Sequence, residues 1–93
     1  MKSWRERAHR LATPLRKTFG RNFREAREAE HLTQRDVSVR TKVTQGWVSA
    51  LEGGEVNITI ELMALLAHVV RSDVVTLLTP TKPAGHAEER LTA

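Results

Sequence analysis

Leu32-Thr33-Gln34-Arg35-Asp36-Val37-Ser38 and, five residues on, Val43-Thr44-Gln45-Gly46-Trp47-Val48-Ser49-Ala50-Leu51-Glu52-Gly53-Gly54 are the stretches that decide the fold. Each begins with a threonine ahead of a short helical pattern. Thr33 suits an N-cap, and Asp36 suits the positive first turn that follows. Val37 is the inward residue of a helix expected over Gln34–Thr41. After a short turn, Thr44 caps a second helix over Gln45–Glu52, with Val48 and Leu51 three apart on its inner side. Gly53-Gly54 stops it, because glycine accepts the left-handed conformation that helix ends often need.

Upstream, Ser3-Trp4-Arg5-Glu6 has the form of a capping box. Trp4, Ala8 and Leu11 follow at i, i+4 and i+7, one apolar stripe of a short helix, with Arg5, Arg7 and Arg10 to the other side. Thr13-Pro14 is expected to interrupt that helix and start another, since proline disfavours a helical residue before it but suits the first helical position. The new helix runs to about Glu30, with Leu15, Phe19, Phe23 and Ala26 inward and Arg16, Lys17, Arg21, Arg24 and Arg27 elsewhere. Downstream, Thr59 caps a helix expected to bury Leu62, Leu65, Leu66 and Val69. Asp73 caps a last one with Val74, Leu77 and Leu78, ended by Pro80. The expected organisation is a basic extension over 1–13 with the pattern of a helix, one all-α domain over 14–79, and a flexible tail over 80–93.

The 93 residues fit one thin-cored domain, which gains stability from partners, itself included. There is no cysteine, hence no disulfide framework or thiolate metal site, and the four histidines lack ligand spacing. No metal, cofactor or catalytic set is expected, and the chain reads as a non-enzyme. The apolar run Leu62–Ala67 is far too short to span a membrane, and the first residues carry no secretory pattern. A cytoplasmic location is expected. The net charge of +4 is uneven: residues 1–32 hold nine Lys/Arg against four Asp/Glu, while residues 33–56 are balanced. A basic third suggests a polyanionic partner, or simply a solvated helix face.

Two short helices joined by a tight turn form a helix-turn-helix unit, here about residues 34–52. Such a unit works by presenting the first turns of its second helix to base edges in the major groove. Residues there must be short and polar, or amides able to bond two atoms of one base. Thr44, Gln45 and Ser49 meet that need, and Gly46 would permit close approach.

The quoted stretches resemble the L-S-Q-x-x-L-A and V-S-Q-x-aromatic-I-S-x-I-E-x-G motifs of λ-repressor/Cro-like (XRE) regulators, and Leu66-Ala67 resembles the L-A of that family's fourth helix. The resemblance covers about Thr18 to Thr79. It implies a compact five-helix domain that binds double-stranded DNA, usually as a homodimer on a two-fold symmetric operator. Carried over residue by residue, it makes Thr44, Gln45, Gly46 and Ser49 the base contacts. Gln34, Lys42, Trp47, Asn57 and Arg24 would touch the DNA backbone, with Trp47 also packing beside the core. Arg27 and Glu52 would form an ion pair pinning the second helix. The last helix, through Val74, Val75, Leu77 and Leu78, is the expected dimer surface.

Two departures stand out. Lys42 and Arg71 occupy positions where the family often has glycine. Transcriptional repression is the expected role; the rivals are an antitoxin that also binds a toxin, and a protein-interaction adaptor that has lost DNA binding. For residues 1–13 two outcomes stay open: a helix docked on its own domain or on the dimer partner, or a basic arm that folds onto DNA.

Overall fold

A computed structural model describes residues 3–81, and these form five helices and no strand. They are α1 (Trp4–Ala29), α2 (Gln34–Thr41), α3 (Gln45–Glu52), α4 (Ile60–Val69) and α5 (Val74–Leu78). All but the first two residues of the expected tail lie outside the described residues.

Every helix starts on a side-chain cap. Ser3, Thr33, Thr44, Thr59 and Asp73 each accept a hydrogen bond from the backbone N–H three residues on. At Thr33 the box is reciprocal, because the Asp36 carboxylate accepts from the Thr33 N–H at 2.8 Å. Three helices end alike. His31, Gly54 and Arg71 take positive φ, and the residue after each donates back to a carbonyl five residues earlier. Lys42 ends α2 in the same left-handed region, at φ 63°. The two positions where glycine was missing, 42 and 71, are thus left-handed here too.

The expected break at Thr13-Pro14 does not occur: α1 runs through Pro14 as one helix of 26 residues. Proline removes one N–H and crowds the preceding turn. Side chains add bonds across that turn. The Thr13 hydroxyl and the Arg16 guanidinium both donate to the His9 carbonyl, at 2.9 and 3.1 Å, and Arg16 also donates to Thr13 Oγ1 at 2.7 Å.

Phe19, Phe23, Val37, Val48, Leu51, Leu66, Ala67, Val70 and Leu77 form the core. Helix α1 packs on α3 and α5, α2 packs on α3 and α4, and α4 closes against α5. At Gly20 the first contact is very close. A β-carbon there would lie under 3 Å from the carbonyl oxygens of both Leu51 and Glu52, so α3 can lie on α1 only over a glycine.

Two expected inward residues are exposed. Leu15 is 54% exposed, because α1 leaves the body there, and Leu65 is 41% exposed. The inner side of α4 is centred instead on Leu66, Ala67 and Val70. Leu77 is fully buried within its own chain, so of the four expected interface residues Val75 is the exposed one, with Val74 and Leu78 half-buried. Nor does the N-terminal stretch dock on its own domain. Residues 3–11 are all exposed, with Trp4 at 73% and Leu11 at 74%.

Candidate nucleic-acid interface

Helix α3 divides cleanly. Val48 and Leu51 are buried, and Trp47 packs half-buried against the core. Thr44, Gln45, Gly46 and Ser49 are all exposed at or near its N-terminal end. A β-carbon at Gly46 would meet no atom within 4 Å, so nothing in the folded chain demands a glycine there. Thr44 does two things at once: its hydroxyl caps the helix, accepting from Trp47 N–H at 3.1 Å, while its surface faces solvent.

The orientation of α3 is set at its other end. Arg27 reaches from α1 and grips Glu52 with two bonds, Nε to Oε2 at 2.6 Å and Nη2 to Oε1 at 3.0 Å. Both side chains are nearly buried, at 10% and 5% exposure. A third donor, Nη1, reaches the Leu32 carbonyl at 2.9 Å, so one guanidinium ties α3 to α1 and to the loop entering α2. The hydrogen bond to Glu52 holds the Arg27 pKa above its ordinary value, against the opposing pull of burial. Gln34 joins the same cluster, donating from Nε2 to Glu52 Oε1 at 3.0 Å. It is half-buried, and its amide links the start of α2 to the end of α3.

The turn between α2 and α3 is also tied internally. Ser38 Oγ donates to the Val43 carbonyl, and Thr41 Oγ1 accepts from Val43 N–H while donating to the Val37 carbonyl. Lys42 projects from this turn, exposed. Asn57 is exposed in the loop after α3. Arg24 lies on the outer side of α1 and pairs with Glu28 one turn on, at 3.4 Å, with both side chains more than half exposed.

One residue that matters was not singled out from the sequence. Asn22 is buried at 6% exposure, and its Nδ2 donates to the carbonyls of Leu77 and Thr79, at 3.0 and 2.8 Å. It fastens the end of α5 to the middle of α1. The signal was an amide lying between Phe19 and Phe23 on the apolar stripe.

Comparison with known proteins agrees with this geometry. The profile of a family described as a helix-turn-helix domain matches residues 18–78. The chain belongs to the XRE-type helix-turn-helix family. It is 37% identical over 67 residues to an uncharacterized HTH-type transcriptional regulator of Sinorhizobium fredii, covering 72% of this chain and 87% of that one. Among solved structures it is similar to the clp gene regulator ClgR of Corynebacterium glutamicum, with a TM-score of 0.66 and 30% identity over 69% of this chain and 82% of that one. The fold is shared at 24% identity with a hypothetical transcription factor from Neisseria, at a TM-score of 0.67 over 84% of this chain and 83% of that one. In this XRE-type domain α2 and α3 are two short helices joined by a turn over residues 42–44. No described helix is long and apolar enough to cross a membrane.

Proposed function

We propose that the protein binds double-stranded DNA sequence-specifically and represses transcription, as a dimer on a two-fold symmetric operator. The observation that carries this reading is the N-terminal end of α3, where Thr44, Gln45, Gly46 and Ser49 are exposed together while the opposite side is locked into the core. Gln45 reads a base, its amide suited to a bidentate pair with adenine worth about 1–3 kcal/mol of discrimination. Thr44 and Ser49 add shorter polar contacts, and Gly46 lets the helix approach closely. Gln34, Lys42, Trp47 and Asn57 border this surface, and with Arg24 they supply backbone contacts that set the register but carry no sequence information. The similar proteins that are named as transcriptional or gene regulators support the same reading.

Repression follows from occupancy of promoter elements, with no cofactor required. The dimer uses α5, where Val75 is 75% exposed and Val74 and Leu78 are half-buried. The test begins with selection of bound sequences from a random DNA pool, followed by titration of wild type and Gln45→Ala. The variant is expected to lose its preference for the selected site and keep weak binding to random duplex, because phosphate contacts supply the sequence-independent part. Equal loss on both DNAs would assign Gln45 a structural role. No binding to any duplex at low salt would favour the protein-interaction adaptor.

A further inference from the structure

The first three turns of α1 leave the body of the domain, yet they are not uniformly polar. Trp4, Ala8, Leu11 and Leu15 form a stripe at spacings of four, three and four, and its large members are 73%, 74% and 54% exposed. That spacing is the alternating repeat by which two helices interlock side chains along a seam. The stripe runs at its inner end into an apolar cleft of about 170 Å³, where Leu15 and Phe19 of α1 meet Ile58, Met63 and Leu78. Arginines stand off the seam, and Pro14, which would disturb a seam, lies off it as well.

We propose that this stripe is an interface with a second copy of the chain, the two N-terminal arms packing antiparallel. Antiparallel pairing about the stripe's midpoint sets Trp4 against Leu15 of the other copy and Ala8 against its Leu11. Each large residue then meets a smaller or adjoining one, and the Trp4 indole arrives at the mouth of the cleft. The flanking positions agree. Arg5 falls opposite Ala12 and Arg7 opposite Pro14, so no two arginines face one another across the seam. A nucleic acid would be met by the arginines on the other sides of the arm and would leave Trp4 and Leu11 in water.

Area argues for a second copy sharing more than the arm. The stripe offers on the order of 400 Å² per copy, about half of what a stable interface takes from each partner. Leu78, at the end of α5, lines the same cleft as Leu15, so the arm's stripe reaches the end of α5. The arms carry a positive excess, so salt should strengthen their pairing by screening, whereas it weakens binding to DNA. The proposal is independent of the DNA reading, and its test contains no DNA.

The chain has no cysteine, which gives a clean background for cross-linking. Ala8→Cys and Leu11→Cys proteins are mixed in equal amounts at about 100 μM and oxidised. Antiparallel arms give the mixed 8–11 disulfide in several-fold excess over the 8–8 and 11–11 products, with a yield that holds or rises as salt is raised. In a Trp47→Phe background, Trp4 emission moves to the blue with protein concentration, and Leu11→Glu abolishes that shift without changing the melting of the body. Statistical disulfide products, 8–8 and 11–11 dominance, or a Trp4 signal that stays water-exposed at every protein concentration would each overturn the proposal.

Discussion

Gly46 is the residue whose chemistry is least explained by the fold. It sits one position into α3, in open space, and costs the helix a fraction of the ~1 kcal/mol that separates glycine from alanine in a helix interior. Gly46→Ala should therefore raise the melting temperature of the free protein by a few degrees. On the selected DNA site the added methyl should cut affinity by about tenfold or more. Melting curves read beside a binding titration check both halves, and unchanged affinity would remove the close-approach argument. Lys42 presents the same trade. Its left-handed backbone costs about 1 kcal/mol for a residue with a β-carbon. Both positions were visible in the sequence, because glycine stood where a helix former was expected and lysine where glycine was.

At the scale of elements, the helix starts were the most legible feature, since a cap is a local signal of one side chain and three residues. Thr33, Thr44, Thr59 and Asp73, read as caps, each accept their backbone bond, whereas Thr13, read as a cap ahead of Pro14, lies inside α1. Two of these regions titrate. Asp36 is held below the usual carboxylate value by hydrogen bonds with the backbone and side chain of Thr33, and Asp73 by those with the backbone and side chain of Thr76. A depressed folded pKa contributes stability that is whole above the unfolded value, about 3.9, and is lost as pH falls through the folded one. The melting temperature should thus be insensitive to these groups from pH 5 to 7 and fall below about pH 4. The double variant Asp36→Asn, Asp73→Asn should show a shallower acid limb. Helix contacts, by contrast, were barely legible. Nothing local in Gly20 announces that two backbone carbonyls lie against it. Gly20→Ala must push α3 off α1, and the loss should be severe, several kcal/mol on a small domain, read by chemical denaturation. The break expected at Pro14 failed for a related reason. The rule concerns the backbone alone, and it does not count the bonds that the Thr13 and Arg16 side chains add to the His9 carbonyl in the preceding turn.

Across the whole molecule, the chain is closed by contacts distant in sequence, and these were the hardest to foresee. Asn22 joins α1 to residues 55 and 57 positions away, on the same stripe as the two core phenylalanines. Asn22→Ala leaves the Leu77 and Thr79 carbonyls without their donor. A loss of about 1–3 kcal/mol is expected, with amide exchange in α5 rising more than in α3. The overall architecture was readable because five amphipathic segments with short connections leave few ways to bury a common face. For the arm, the helix was legible, but an apolar stripe says only that something covers it, not which molecule.

Helix α1 has one further property as a solid object. At 1.5 Å per residue its 26 residues make a rod of about 39 Å, of which about the first third is unsupported. A rod clamped at one end is a lever. A tilt of ~10° at the point where it leaves the body swings a tip about 15 Å away through roughly 3 Å, comparable to the rise of one base-pair step. Any partner that grasps the tip therefore has mechanical advantage over the body, and in the proposed pairing of arms the spacing of the two bodies becomes a matter of helix stiffness.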